Sequence, residues 1–233
     1  MAAVDALAAE PERPAAGATG ALRLGVSPFV ARRVLPALLP TLAAEWPAAR
    51  FEVVERASDG DLVEAVRFGG LDAGFGELAL EAGPFEIRVV IADPCVLLVP
   101  SDSPLARADS AAGLKGSELS LVGRPGHRLA RLVDRHLRAA GFFPRYPSQA
   151  DSDAAAQAVV AAGTLAAVLP RLAVDENDPR TSVVELGGIL PRRTIDLFWR
   201  REGARNPALR TFVSAVVDSC RRSTVGGVPT YAV

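Results

Sequence analysis

Three serines lie where strand-like segments give way to helix-like ones, a position that suits anion binding. Ser27 follows the apolar segment 21–26, Ser58 precedes a helix pattern, and Ser152 precedes the helix pattern 153–162. Helix N-termini present unpaired backbone N–H groups and a dipole that favour a carboxylate. Each serine could hydrogen-bond such a ligand. Each could equally act only as an N-cap, which contributes about 0.5–2 kcal/mol of stability.

Neighbouring residues could extend this anion site. Pro28 suits the first helical position, and Phe29 could cover an aromatic or aliphatic ligand or pack into the core. Arg124 precedes Gly126 in a strand-to-helix loop, where its guanidinium could pair with an acid or remain a solvated surface group. The predicted ligand-binding residues are Ser27, Pro28, Phe29, Ser58, Arg124, Gly126 and Ser152.

The sequence offers little for catalysis or metal binding. The segment 25–29 lacks the second glycine of a nucleophile elbow, and Lys115 lacks the neighbours of a phosphate-binding loop. Cys95 and Cys220 each lie in an apolar stretch, as expected of buried thiols in a reducing compartment. We therefore expect no catalytic residue, no metal and no cofactor.

Composition narrows the function classes. The chain has 233 residues and a net charge of −1, from 26 Lys and Arg against 27 Asp and Glu, which argues against a stand-alone nucleic-acid binder. No apolar run reaches the roughly 20 residues of a membrane span. The N-terminus lacks a basic start followed by an apolar core, so we expect a cytoplasmic protein. The Arg-Arg pairs, predicted to solvate exposed faces, are 32–33, 192–193, 200–201 and 221–222.

Strand and helix patterns alternate along the chain. The predicted strands are 21–26, 51–55, 71–76, 87–91, 95–99, 119–122, 145–149, 165–169, 183–186 and 195–199. This alternation is typical of an α/β protein with mostly parallel sheets flanked by helices. Segments 71–76 and 87–91 are apolar enough for buried parallel strands. In the helix pattern 127–140, we expect His127 and His136 to face solvent.

Five segments, in this order, resemble the effector-binding domain of LysR-type transcriptional regulators, over residues 21–219. They are LRLGVSPFVARRVLPALLPTLAAEWPAARFEVVE (22–55), ASDGDLVEAVRFGGLDAGF (57–75), DPCVLLVPSDSPLA (93–106), AAGTLAAVLP (161–170) and LFWRREGARNPALRTFVSAV (197–216). Two positions depart from the family pattern: Ser103 replaces the usual histidine, and Leu165 replaces a glycine.

The resemblance implies a two-lobed, type 2 periplasmic-binding-protein-like fold with a small-molecule effector between the lobes. Lobe I would hold 21–93 and 199–222, and lobe II 94–198, joined by hinge strands 95–99 and 195–199. Residues 1–20 would be a disordered tail or linker remnant, and 223–233 a flexible tail.

The resemblance also implies a homodimer or homotetramer built with helices of both lobes. No helix-turn-helix can be fitted to residues 1–20, so we expect no direct DNA contact by this chain. Two alternatives stay open, a transporter's solute-binding protein and an enzyme on the same two-lobed fold. The first would need an extracytoplasmic address, and the second a buried titrating constellation.

Overall fold

The computed structural model describes residues 21–45, 50–56, 58–77, 83–108, 110–222, 224–225 and 228–229. Their strands are β1 (Leu22–Val26), β2 (Phe51–Glu55), β3 (Ala73–Gly76), β4 (Phe85–Pro100), β5 (Ser120–Gly123), β6 (Arg145–Gln149), β7 (Ala167–Pro170), β8 (Thr181–Val184), β9 (Arg192–Arg200), β10 (Thr224–Val225) and β11 (Val228–Pro229). The α-helices are α1 (Leu35–Glu45), α2 (Asp59–Arg67), α3 (Arg128–Ala139), α4 (Asp153–Ala161) and α5 (Pro207–Arg222). The predicted tail 1–20 lies outside the described residues.

A π-helical turn, Val30–Val34, connects β1 to α1. Pro36 and Pro40 have no N–H to donate, so the first turns of this helix cannot keep a complete i→i−4 ladder. Val30, Val34 and Leu38 nevertheless lie on one buried face, which packs into the core formed with β1 and β3.

The first sheet joins β2, β1 and β3 in parallel and then adds β9 and the first part of β4 in antiparallel orientation. Its core contains Leu24, Phe75 and Phe212 of α5, with the rings of Phe75 and Phe212 packed edge to face at 6.2 Å. We call this sheet and its helices the first lobe.

The second part of β4 belongs to another sheet. Residues 95–98 pair antiparallel with β7, and residues 97–100 pair antiparallel with β8. The parallel pair β5–β6 adjoins this sheet through a bridge between Leu121 and Ala166. Because Leu129, Val133 and Leu137 of α3 bury one stripe against this sheet, a second core forms, and we call this unit the second lobe.

The predicted α/β architecture is confirmed, but the parallel orientation expected for segment 87–91 is wrong. Segment 87–91 pairs antiparallel with β9, so the first sheet is mixed, and in the second lobe β7 and β8 both pair antiparallel with β4. The parallel interpretation of 87–91 assumed a strand buried on both faces, but Arg88 is exposed, and a short apolar run has the same composition in either orientation. Chain direction depends on the connections, which the pattern of apolar residues does not encode.

The chain crosses between the lobes along β4 and just before β9. The N–H of Cys95 donates to the carbonyl of Pro191 at 3.0 Å where the two crossings meet. The predicted hinge strands 95–99 and 195–199 are thus parts of β4 and β9. The division of the chain between the lobes stays a prediction, and the pairing of β9 with β3 favours a second crossing near Pro191 rather than at residue 198.

The C-terminal segment 223–233 was expected to be flexible. Its described residues form two short antiparallel strands, Thr224–Val225 and Val228–Pro229. A Gly-Gly pair such as 226–227 between two strand-like dipeptides is typical of a β-hairpin. The sequence analysis did not use this signal. The other residues of the segment lie outside the described part of the chain.

Candidate functional site

The three predicted serines all act as helix caps. Ser27 Oγ accepts from the N–H of Val30 at 3.5 Å, while Ser58 accepts from Asp61 at 3.1 Å and Ser152 from Ala155 at 3.2 Å. The capping interpretation is therefore confirmed for each of them. Because a cap and a ligand contact can coexist at a helix start, the ligand role of these serines stays a prediction.

Ser27 lies at the carboxyl end of the first sheet. Its N–H donates to the carbonyl of Phe75 at 3.1 Å, which holds the β1 end against the end of β3. Pro28 begins the helical segment as predicted, and Phe29 packs partly buried at the edge of the first core. Because β1 and β3 are parallel, both end here, and α/β proteins commonly bind ligands at the carboxyl ends of parallel strands.

A buried ion pair lies beside Phe29, and the sequence interpretation missed it. Arg193 Nη2 donates to Asp93 Oδ2 at 2.6 Å, with side chains 7% and 0% exposed. The guanidinium carbon lies 4.0 Å from the centre of the Phe29 ring. We call Phe29, Asp93 and Arg193 the cleft floor. The expectation that the pair 192–193 solvates an exposed face is wrong for Arg193, because it follows the hinge into the interior.

The cleft floor lies on the first lobe and contacts the second lobe. Asp93 Oδ1 accepts from the N–H of Leu172, in the 3₁₀ turn Arg171–Ala173 that follows β7. Burial raises the pKa of Asp93, against the opposing effects of Arg193 and the Leu172 N–H. Arg193 Nε is buried and has no hydrogen-bond partner among the described residues.

Arg124 lies in the second lobe and already has partners. Its guanidinium pairs with Asp153 in the first turn of α4 and donates through Nη2 to the carbonyl of Asp151 at 3.2 Å. Gly126, with a φ of 79°, makes the left-handed turn that ends this loop. A ligand acid would therefore have to share Arg124 with Asp153, which the sequence did not indicate.

We call residues 124–127 the Arg124 loop. It lines a pocket of about 680 Å³ together with the end of β6 and the first turns of α4, the helix that Ser152 caps. Because β5 and β6 are parallel, this pocket lies at the carboxyl ends of the second lobe's strands. The structure thus brings together Arg124, Gly126 and the start of α4, and their role in ligand binding stays a prediction.

Both predicted solvent-facing histidines are partly buried. His127 is the N-cap residue of α3, and burial, followed by the Arg124 charge, lowers its pKa. His136 Nδ1 lies 3.0 Å from the carbonyl oxygen of Ile189. The expectation failed for His136 because its ring meets the loop before β9, which is distant in sequence.

Charged groups also meet across the lobes. Glu77, which follows β3, pairs with Arg128 at the start of α3 at 3.4 Å. Arg33 donates to the carbonyl of Val174 at 3.2 Å, so a second contact joins the π-helical turn to the second lobe.

Asp59 is a further acidic group of the first lobe, in addition to Asp93 and Glu77. Burial and repulsion from Glu77 raise the pKa of Asp59, which follows Ser58. Gly76 lets this carboxylate approach, because a Cβ there would lie 2.8 Å from Asp59 Oδ1. The charge of Arg193 lowers the pKa of both Asp59 and His127, as the last of several influences on each.

Comparison with known proteins identifies the family of this chain. The sequence model of the LysR substrate-binding domain matches residues 15–221. The chain belongs to this family. The predicted family and its two-lobed, periplasmic-binding-protein-like fold are thereby confirmed. Within the described residues, no helix combines the length and apolarity needed to cross a bilayer.

Curated relatives in this family are transcriptional regulators. The DNA-binding transcriptional dual regulator OxyR of Escherichia coli K12 is 29% identical over 195 residues, covering 78% of this chain and 60% of that protein. A probable hydrogen peroxide-inducible genes activator of Mycobacterium leprae is 30% identical over 203 residues, covering 84% of this chain and 64% of that protein. The chain therefore spans about 60% of the length of the OxyR that it matches.

Solved structures agree on the fold. The reduced form of OxyR has a TM-score of 0.69 and 27% identity, covering 86% of this chain and 96% of that one. Full-length CbnR complexed with its target DNA has a TM-score of 0.70 and 23% identity, covering 86% of this chain and 71% of that one.

Proposed function

We propose that this chain is the small-molecule effector-binding domain of a LysR-type transcriptional regulator. Its effector is a small carboxylate or an aromatic acid, held between the lobes and read out through oligomer geometry. The curated relatives are regulators, which favours this function over an enzyme or a transporter's solute-binding protein. For the same reason we assign it to the cytoplasm.

One observation carries the choice of an acidic effector. Arg193 is buried at the junction of the lobes, yet its Nε–H has no acceptor among the described residues. An unpaired buried donor costs about 1–3 kcal/mol, more when it is charged. A carboxylate oxygen would satisfy it, and the Phe29 ring beside it would cover an aromatic acid.

Several relatives are named hydrogen peroxide-inducible activators, but the thiols of this chain do not favour peroxide chemistry. A reactive cysteine needs an accessible thiolate. Burial raises the pKa of Cys95 to about 12 and that of Cys220 to about 11. The two thiols lie in different core clusters, so they are poorly placed to form a disulfide. These features support reversible ligand binding.

The proposed mechanism is a population shift. The contacts Glu77–Arg128 and Arg33–Val174 hold the lobes together in the present arrangement. An effector that touches both lobes stabilises one arrangement by its differential contacts. That arrangement then biases the packing of a homodimer or homotetramer.

Thermal unfolding in the presence of benzoate, salicylate, succinate and related acids tests the proposal. A binding acid at about 100 times its Kd should raise Tm by roughly 5–10 °C. The double variant Arg193→Met with Asp93→Leu should lose this increase, because it removes the cation without leaving a buried charge. The matched control is Arg23→Met with Glu52→Leu, which removes an exposed pair at 3.2 Å.

Two results would overturn the proposal. A broad panel of small carboxylates without any increase in Tm would contradict an acidic effector. An unchanged increase in the Arg193 and Asp93 double variant would show that the acid binds away from the cleft floor.

A further inference from the structure

A second pocket, of about 340 Å³, lies in the first lobe, between α5 and the ends of β4 and β9. None of its lining residues belongs to the cleft floor or to the Arg124 loop. Its volume falls within the range of about 300–1,000 Å³ that is typical of small-molecule sites.

The wall of this pocket is apolar and includes an indole. Val213 and Val217 of α5 provide the accessible apolar surface, and the buried side chains of Trp199 from β9 and Leu209 from α5 lie directly behind it. Trp199 is only 4% exposed, so its ring is fixed by packing rather than free to collapse into the pocket. Such a surface accepts an alkyl chain or an aromatic ring.

The rim of the pocket carries more positive than negative charge. Arg88 and Arg210 lie there with one acid, Glu86. Among the described residues neither arginine makes an ion pair. The Arg88 guanidinium lies 5.9 Å from the Trp199 ring centre and donates only to the carbonyl of Ile87, on its own strand.

We infer that this pocket binds an amphipathic monocarboxylate. The apolar part of the ligand lies against Val213 and Val217, next to the edge of Trp199, and its carboxylate pairs with Arg88, whose guanidinium lies near that edge. This site is separate from the proposed effector cleft and does not depend on Arg193.

Trp199 fluorescence reports on this site once Trp46, the other tryptophan of the chain, is replaced in a Trp46→Phe background. Octanoate should change the Trp199 emission with saturation. Octanamide, which has the same chain length without the charge, should bind at least tenfold more weakly. Calorimetric titration of the unmodified chain with octanoate repeats the measurement if the Trp46→Phe protein fails to fold.

Two variants locate the binding. Arg88→Gln should weaken octanoate binding at least tenfold, and Val213→Trp should abolish it by filling the pocket. The matched control is Arg67→Gln, because the Arg67 guanidinium also lies 5.9 Å from an aromatic ring centre, that of Phe85, outside the pocket. This control should bind octanoate as the parent protein does.

Three outcomes would overturn the inference. The first is saturation that Arg88→Gln and Val213→Trp leave unchanged, and the second is the absence of any octanoate binding. The third is a Trp199 signal that follows protein concentration instead of octanoate, which would assign the surface to a contact between copies. Octanoate binding lost only in the Arg193 and Asp93 double variant would place that acid in the cleft, whereas failure of the cleft proposal would leave the Arg88 result intact.

Discussion

Arg193 and Arg124 approach the cleft from different depths, and each pairs with an aspartate. The side chains of Arg193 and Asp93 are 7% and 0% exposed, whereas those of Arg124 and Asp153 are 18% and 21% exposed. Water reaches the Arg124–Asp153 pair, screens its charges and can replace either partner. The Arg193–Asp93 pair is closed to water, so neither effect operates there. The Arg193–Asp93 pair, which we call the floor pair, is therefore fixed by burial. The Arg124–Asp153 pair, which we call the loop pair, can exchange its partners with water or a ligand.

The largest difference should appear when the floor pair is broken. Arg193→Met should lower the free energy of unfolding by about 3–5 kcal/mol, because Asp93 then remains buried without its cation. Adding Asp93→Leu should recover most of that loss. Urea unfolding measures both. A loss below about 1 kcal/mol in the single variant would mean that the floor pair behaves like the loop pair.

Removing the helix caps near these two pairs, Ser27 and Ser152, should change stability by a smaller amount. Ser152→Ala should cost about 1 kcal/mol of stability, since its cap bond measures 3.2 Å. Ser27→Ala should cost less, because its cap bond is longer at 3.5 Å. Ser27→Ala should nevertheless weaken effector binding more than Ser152→Ala. Urea unfolding and ligand titration of the two variants check this, and equal effects on both properties would contradict it.

Breaking the loop pair, Arg124–Asp153, should lower the free energy of unfolding still less. Arg124→Gln should lower stability by no more than about 1 kcal/mol, and addition of salt should reduce the difference. A matched control is Arg138→Gln, which removes the exposed i,i+4 contact with Asp134 at 2.8 Å. If Arg124→Gln were as damaging as Arg193→Met, the loop pair would have to be counted as part of the core.

The smallest effect is a pH dependence centred on the loop. Burial and the charge of Arg124 keep the pKa of His127 below its ordinary value. The folded protein therefore binds this proton less readily than the unfolded chain, so stability falls as pH drops through about 6.5. His127→Gln should remove this part of the slope. Urea midpoints from pH 7 downward measure it, and parallel curves for the two proteins would contradict the assignment.

The sequence allowed much of the fold to be predicted and less of the site. The serine caps at 27, 58 and 152 were predictable because a cap depends on residues within one helical turn. The family was predictable because five motifs recur in order. Strand direction at 87–91 was not, because a short apolar run has the same composition in either direction.

Arg193 and Asp93 show the same limit at the site. Each looked like an ordinary charged residue beside a strand, and their partnership spans one hundred positions of sequence. A charged residue within a buried hinge segment, such as Asp93 before Pro94, was the available signal. It indicates that a partner must exist without indicating which one.

By itself, the sequence determined the caps, the turns and the apolar faces of the helices, because those depend on neighbours a few residues apart. Only the tertiary structure decided which charges meet, how deeply each is buried and which nitrogen lacks an acceptor. Burial changes the strength of an electrostatic interaction severalfold, and burial is created by segments that come together only when the chain folds.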